Sequence, residues 1–178
     1  MGKQNMHLKE IRWATVALLV LAAFASCGYQ FKGMGLSAPQ GVQRIAIPVL
    51  GNRTSESGIE TVFTSDLAYE FTRSKVLSVV DKDRADAVLS GTIRSAGEET
   101  ISHTASYHSA ERRVTITLNL TLMCRDGRVL WSDTSLSDRE AFEVSGDKLT
   151  TEKNRRTAIK IISERLAEKI HNRILQDF

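Results

Sequence analysis

Side chains capable of catalysis are sparse in this chain, and their spacing matches no familiar catalytic or metal-binding motif. The sequence has two cysteines and four histidines among 178 residues. His103 and His108 lie five residues apart in a polar stretch, without the nearby cysteines or carboxylates that a tetrahedral metal site requires. No serine has a histidine at a recognisable motif spacing. The sequence therefore predicts no metal site, no cofactor and no enzymatic activity; the alternative is an exported enzyme whose pocket is assembled from distant residues.

Cys27 carries the clearest chemical signal. Three basic residues precede a mostly apolar run from 13 to 25, which is shorter than the roughly 20 residues needed to span a bilayer. A cationic start, a short apolar core and small residues at its end are typical of a secretory signal. The ending Ala-Ser-Cys matches a bacterial lipobox, in which the chain is cut before a cysteine that is then acylated, although Phe24 stands where leucine is usual. We predict a signal peptide over 1–26 and lipidation of Cys27; the alternative is an ordinary signal peptide with an incidental cysteine.

The predicted cleavage changes the charge balance and the compartment. The chain has 24 basic and 21 acidic residues. Residues 1–26 contain three of the basic residues and one of the acidic residues, so 21 basic and 20 acidic residues remain after cleavage. This near balance argues against a nucleic-acid partner, which would need a basic face. Gly28 follows the cysteine where inner-membrane lipoproteins often carry aspartate, which favours the outer membrane. With Cys27 acylated, Cys124 has no partner for an intramolecular disulfide.

The remaining chain has the length of one domain. Residues 27–41 are predicted to be the lipid anchor and a glycine-rich tether, followed by a single domain over 42–178. Hydrophobic patterns predict the order β-α-β-β-β-α, with a last helix from about 148 to 175. This order indicates an α+β fold, a two-layer sandwich in which two helices cover one face of a mostly antiparallel sheet. The stretch 98–111 lacks hydrophobic periodicity, which predicts an exposed loop or the frayed ends of a long hairpin.

The strongest strand pattern is "VTITLNLTLMC" at 114–124. The even-numbered positions from 114 to 124 are apolar and the odd-numbered positions from 115 to 121 are polar, and this period-two alternation predicts one buried and one outward face. The buried set is expected to include Cys124. The outward set is Thr115, Thr117, Asn119 and Thr121.

Local patterns give more specific expectations for the other elements. Ile45, Ile47 and Val49 are predicted to share the buried face of the first strand, with Pro48 placing that strand at an edge or a bulge. The first helix, of about 16 residues, should bury Ile59, Val62, Phe63, Leu67 and Phe71, with its cap at Ser55 or Ser57. Asp126 and Gly127 are expected to supply the positive-φ positions of a hairpin turn.

Several of these segments together resemble the LptE family of lipopolysaccharide-assembly lipoproteins. The resemblance begins with "CGYQF" at the anchor and continues through "RIAIPVLGNRT" and "ADAVLSGTI". It extends over the hairpin "RVTITLNLTLMCRDGRVLW" and the last amphipathic helix, so it covers nearly all of the chain after the signal. The resemblance implies a non-enzymatic outer-membrane lipoprotein that plugs the large LptD β-barrel, helps it assemble and assists delivery of lipopolysaccharide.

The resemblance also implies two functional surfaces. Lipopolysaccharide would contact basic residues near the central hairpin loop and the start of the last helix, which correspond here to His108, Arg112, Arg113 and Lys148. Ordinary surface charge or barrel contacts are the alternatives for this group. The outward set Thr115, Thr117, Asn119 and Thr121 would contact the barrel, or would otherwise be solvated strand positions.

A second resemblance points to a different class. The segment "RIAIPVLGNRTSESG" is also similar to the opening of curli-secretion-like and related periplasmic modules in outer-membrane lipoproteins. Such a protein would self-assemble or bind another envelope partner. A secretion pore needs membrane-spanning strands of about ten residues with apolar outward faces, and the strand at 114–124 is the one segment that approaches this.

Overall fold

The structure, a computed structural model, describes residues 38, 39, 41–103 and 109–176. For residues 103, 109 and 110 it describes the backbone only. Within this part lie six strands, two α-helices and a short 3₁₀ helix at Lys82–Arg84. The strands are β1 (Arg44–Ala46), β2 (Gly51–Asn52), β3 (Ser78–Val79), β4 (Ala87–His103), β5 (Ser109–Cys124) and β6 (Val129–Glu143). The helices are α1 (Ile59–Ser74) and α2 (Lys148–Gln176).

The strands form one mixed sheet in the order β3-β1-β4-β5-β6, with β2 also paired to β4. The short strands β1 and β2 run parallel to β4, and β3 runs parallel to β1. The long strands β4, β5 and β6 are antiparallel and make up most of the sheet. The α+β fold class is confirmed, and the described sheet has six strands where the predicted order has four. Within the stretch 98–111, the described residues are strand ends rather than an exposed loop, because β4 continues to His103 and β5 begins at Ser109; residues 104–108 lie outside the described part of the chain.

One face of the sheet carries the hydrophobic core. The five apolar residues of the predicted buried set in β5 are all at most 1% exposed: Val114, Ile116, Leu118, Leu120 and Leu122. They form a single cluster with the apolar stripes of both helices. In α2 the whole predicted stripe is buried, namely Ile159, Ile162, Leu166, Ile170 and Ile174. In α1 the prediction holds except for Val62, which is half-buried.

The first strand departs from its prediction because it ends before Pro48. Ile45 is buried, but Ile47 is half-buried and Val49 is 67% exposed, while Leu50 turns into the core instead. Proline cannot donate a ladder hydrogen bond, so the chain leaves the sheet at this point and rejoins β4 through β2. Of the two positions expected from Pro48, an edge is wrong, since β1 lies between β3 and β4. The interruption corresponds to the other, a bulge, because the registers on either side of it leave one extra residue opposite β4.

Asp86 holds the start of β1 against the start of β4. Its carboxylate accepts hydrogen bonds from the backbone N–H groups of Gln43 and Arg44 at 3.1 and 2.9 Å. The Arg44 guanidinium lies 2.6 Å away. The hydrogen bond from this guanidinium is the largest cause that lowers the pKa of Asp86 to about 2, and the backbone donors add to it. The polar contacts therefore fix β1 where the chain enters the domain.

Two turns differ from their predictions: the one before α1 in its helix cap, and the one between β5 and β6 in its positive-φ residues. Helix α1 is preceded by Gly58 in the left-handed region (φ 88°) without a side-chain cap, so neither Ser55 nor Ser57 caps it. Asn52 makes the hydrogen bonds that hold this turn instead: its side-chain amide donates to the Glu56 carbonyl and to the Glu60 carboxylate. In the β5–β6 hairpin Gly127 has a positive φ (90°), but Asp126 does not, among the residues described.

Cys124 is half-buried rather than fully buried. It is the last residue of β5 and packs at the margin of the core. Its N–H and carbonyl bond to Arg128 and Gly127 of the turn that follows. The alternating pattern thus predicts its face correctly, but burial fades where the strand runs out from under the helices.

Candidate functional site: an open sheet face and a charged cleft

The face of β5 opposite the core carries the outward set predicted from sequence, and we call it the open face. Thr115, Thr117, Asn119 and Thr121 are half-buried, and none belongs to the hydrophobic core cluster. The positions beside Thr117 and Thr121 are also small and polar, whereas Thr115 lies between Gly97 and Arg139. In the ladder Ser95 and Ser137 flank Thr117, and Ser90 and Ser132 flank Thr121. The part of the open face around Thr117 and Thr121 is therefore an array of hydroxyl groups.

Hydroxyl contacts along this array are weak. The Thr121 and Ser132 hydroxyls lie 3.2 Å apart, and those of Thr117 and Ser137 lie 3.5 Å apart. Asn119 differs, because its side-chain carbonyl oxygen is buried and accepts no hydrogen bond within the described part of the chain. A buried acceptor without a donor is costly. The open face thus has hydrogen-bonding capacity that the domain itself leaves partly unused.

The adjacent residues Arg112 and Arg113 point to opposite faces of β5, because successive strand side chains alternate. Arg113 shares the open face with Glu99, the residue directly opposite it in the ladder, at 3.1 Å. Arg112 lies on the helix side, where its guanidinium is 3.4 Å from the Glu98 carboxylate. The four basic residues predicted to act together are therefore divided: Arg112 and Lys148 share one surface, Arg113 lies on another, and His108 is outside the described residues.

Arg112 and Lys148 line a cleft of about 440 Å³ between the β4–β5 hairpin and the start of α2. Arg155, from the second turn of α2, and the carboxylates Glu98 and Glu152 complete its charged lining. Phe142, Ser145 and Thr151 are among the other lining residues. We call this space the hairpin cleft. Its cations come from a strand and a helix, so their separation is fixed by the packing of α2 on the sheet.

Arg155 is the most buried cation of the hairpin cleft, with a side chain 15% exposed. One of its terminal nitrogens lies 2.8 Å from the Glu56 carboxylate, and its Nε lies 2.6 Å from that of Glu98. The pKa of Arg155 is raised above its usual value, with the hydrogen bond to Glu56 as the largest cause. It thereby joins the segment before α1, strand β4 and helix α2. Sequence reasoning missed Arg155 because its main partners are 57 and 99 positions away.

Three backbone N–H groups in the first turn of α2, those of Leu149, Thr150 and Thr151, already have acceptors in Asp147. The Asp147 carboxylate accepts from the N–H groups of Leu149 and Thr150 at 3.3 and 2.8 Å. A further hydrogen bond from the Thr150 hydroxyl is the largest cause that lowers the pKa of Asp147. An anion entering the hairpin cleft would therefore be held by side-chain cations rather than by the helix terminus.

A second group of polar side chains lies between the helices. Asp66 of α1 is paired with Lys160 of α2 and is 9% exposed. Ser163 and His171 of α2 are buried, and the His171 ring makes an edge contact with Phe71 at 5.1 Å between ring centres. These residues lie in the packed interface of α1 and α2, and we assign them a structural role.

Within residues 38, 39, 41–103 and 109–176, no helix is long and apolar enough to cross a membrane. In the same part of the chain, no three histidine, cysteine or acidic side chains are grouped as a metal ion would require. The described domain is thus a two-layer α+β module with a polar open face and a charged cleft at one end.

The sequence model of the LptE family, described as lipopolysaccharide-assembly, matches residues 42–174. The chain therefore belongs to the LptE family, a family of non-enzymatic, envelope-associated lipoproteins. No curated protein matches the sequence.

Several solved structures share the fold at low sequence identity. An uncharacterized lipoprotein B from Nitrosomonas europaea superposes with a TM-score of 0.55 at 15% identity, over 83% of this chain and 90% of its own. A minor lipoprotein from Acinetobacter baumannii superposes with a TM-score of 0.52 at 14% identity, over 78% of this chain and 95% of its own. A putative lipoprotein from Caulobacter crescentus superposes with a TM-score of 0.54 at 8% identity, over 71% of this chain and 88% of its own.

Proposed function

We propose that this chain is an outer-membrane lipoprotein, anchored through Cys27, that plugs and helps assemble an LptD-like β-barrel and assists delivery of lipopolysaccharide to the outer leaflet. The family match over residues 42–174 is the observation that carries this proposal. The chain would act by binding rather than by catalysis. Its domain organisation would be a cleaved signal over 1–26, an anchor and tether over 27–41, and the described domain.

The open face supports the plug role. A wide outer-membrane barrel has a polar, aqueous lumen, so a domain inside it must present polar groups to the wall. The polar face formed by Thr115, Thr117, Asn119 and Thr121 is such a surface, and its half-buried threonine hydroxyls can exchange hydrogen bonds with the wall. We propose this face as the barrel-contact surface.

The hairpin cleft supports the glycolipid role. Lipopolysaccharide carries phosphate groups, and guanidinium and ammonium groups bind phosphate through charge-assisted hydrogen bonds. Arg112 and Lys148 line the cleft together, whereas Arg155 is ion-paired with Glu56 and Glu98 and supports the lining from below. We propose that an anionic headgroup binds there, while Arg113, on the open face, contributes to barrel contacts instead. His108 stays a prediction of the sequence.

The decisive experiment is purification of the tagged, lipidated protein from detergent-extracted outer membranes. We expect a very large β-barrel to copurify at a 1:1 ratio. Recovery of a homo-oligomeric ring, or of the protein alone, would contradict the plug role and favour the curli-secretion-like or other envelope-binding alternative. Identification of the copurified proteins by mass spectrometry distinguishes these results.

A matched pair of variants tests the open face in the same experiment. Thr117→Arg places a long cation on the open face, so we expect the yield of copurified barrel to fall at least fivefold. Thr157→Arg makes the same change on the exposed side of α2 and should leave the yield unchanged. Equal yields from both variants would show that the open face does not contact the barrel.

Replacing Cys27 by alanine tests the anchor. Several acyl chains bind a membrane far more firmly than one, since each buried methylene contributes about 0.8 kcal/mol. We therefore expect Cys27→Ala to abolish labelling by a radioactive fatty acid and to move the protein from the membrane fraction to the soluble periplasmic fraction in cells depleted of the barrel. Labelling that persists in the variant would refute the assignment of Cys27.

A further inference from the structure

Glu98 links two of the cations in the hairpin cleft. One of its carboxylate oxygens lies 2.6 Å from Nε of Arg155, and the other lies 3.4 Å from a terminal nitrogen of Arg112. The ladder explains this position. Glu98 is opposite Val114, whose side chain is buried on the helix side, and Arg112 is two residues from Val114 on the same face.

The two contacts of Glu98 differ in strength. The contact with Arg155 is within the range of a strong charge-assisted hydrogen bond, whereas 3.4 Å is at the long end for an N–H donor. Arg155 is also fixed by Glu56, so it holds Glu98 in place from a rigid support. Arg112 is 41% exposed, so of the two arginines it is the one that an incoming group can reach.

The other carboxylate of the cleft is oriented differently. Glu152 lies 3.8 Å from Arg155 but 2.7 Å from Arg156, whose side chain is 77% exposed. It is therefore drawn toward the outer surface of α2. Glu98 is the carboxylate that faces Arg112.

We propose that Glu98 is an internal counter-anion of the hairpin cleft: it occupies the position of a ligand phosphate on Arg112, and an anionic headgroup binds by displacing it. Arg155 keeps Glu98 close during this exchange and so sets the affinity as a positioning residue. This inference rests on the proposed glycolipid role of the cleft and concerns how that binding is regulated. A competing carboxylate weakens binding, which favours release of a ligand that must be passed on.

The test compares Glu98→Gln with its neighbour Glu99→Gln in the full-length protein in detergent. Both changes remove one negative charge from adjacent positions of β4, but Glu98 is in the cleft and Glu99 is paired with Arg113 on the open face. We expect Glu98→Gln to bind immobilised lipopolysaccharide about two- to fivefold more tightly than wild type, the range that loss of an exposed ion pair allows. Glu99→Gln should bind as wild type does.

The arginines give a second matched pair. Arg112→Gln should weaken binding, and Arg113→Gln should not, although both lose the same charge. Lipopolysaccharide stripped of its phosphates should bind wild type and Glu98→Gln equally weakly, because the gain requires a ligand anion. Thermal melting of each variant separates these effects from loss of fold.

The outcomes distinguish this inference from the role on which it rests. If wild type binds lipopolysaccharide and Glu98→Gln binds it with the same or lower affinity, the inference is overturned and the glycolipid role stands. An equal gain in Glu99→Gln would also overturn it, since the effect would then be one of net charge. Absence of binding in wild type and in both glutamine variants would overturn the glycolipid role together with the inference.

Discussion

Replacing Leu118 by aspartate is expected to prevent the domain from folding. Leu118 is fully buried at the middle of β5, and its neighbours across the ladder, Ile93 and Leu136, are at most 1% exposed. The change removes apolar packing worth roughly 2–5 kcal/mol. It also leaves a carboxylate without a partner in the core, which costs several kcal/mol more. The sum is comparable to the roughly 5–15 kcal/mol by which a domain of this size is stable.

The measurement is circular dichroism during heating, on the full-length variant in detergent. We expect Leu118→Asp to lack a cooperative transition. Thr117→Asp is the matched control: it introduces the same side chain one residue earlier, on the open face, and should melt within a few degrees of wild type. A cooperative transition near the wild-type temperature for Leu118→Asp would show that the two faces of β5 are assigned the wrong way round.

The sequence predicts this strand well because the physical constraint is local. A long strand with one face under helices must alternate, so eleven residues of β5 specify which side chains enter the core. The helices are predicted for a similar reason, since a stripe such as Ile159, Ile162 and Leu166 reports a single buried side. In both cases the residues that carry the signal are neighbours in sequence. The fold class follows from these elements and their order.

The predictions that are wrong concern places where local and tertiary preferences compete. The alternation of Ile45, Ile47 and Val49 predicts a continuous strand, but Pro48 interrupts the ladder and the chain crosses to β2. The serines before α1 are good caps in isolation. In the folded domain the left-handed backbone of Gly58 and the side chain of Asn52 organise that turn instead.

The candidate site is less predictable because its residues come from distant parts of the chain. Arg112 and Arg113 look like one basic pair in the sequence, but strand geometry places them on opposite faces. The hairpin cleft requires Arg155, which sequence periodicity marks as one of many polar residues on α2. Its contacts with Glu56 and Glu98 depend on how α2 crosses the sheet, and no local pattern encodes that crossing.

Replacing Gly91 by alanine is the second change with a large expected effect. Gly91 lies in β4 opposite Leu120 of β5, on the core side of the sheet. A β-carbon at this position would lie 2.9 Å from the Leu120 Cα and closer still to the Asn119 carbonyl oxygen and to a Leu120 methyl group. Two of these atoms belong to the backbone of a paired strand, so they cannot move aside as a flexible side chain would. The strands must separate locally, and we expect a loss of about 3 kcal/mol or more, at the upper end for overpacked cores.

Gly97 provides the matched control for this prediction because it lies in the same strand with no atom within 4 Å of an added β-carbon. Gly97→Ala should be neutral or slightly stabilising, since alanine restricts the unfolded chain more than glycine does. Urea unfolding followed by circular dichroism gives the free energy of unfolding for both variants. Equal stability of the two alanine variants would mean that β4 and β5 do not approach as closely at Gly91 as the structure shows. A loss confined to Gly91→Ala would instead explain why a residue with low strand propensity lies inside the longest described strand: the close approach of β4 and β5 leaves no room for a side chain.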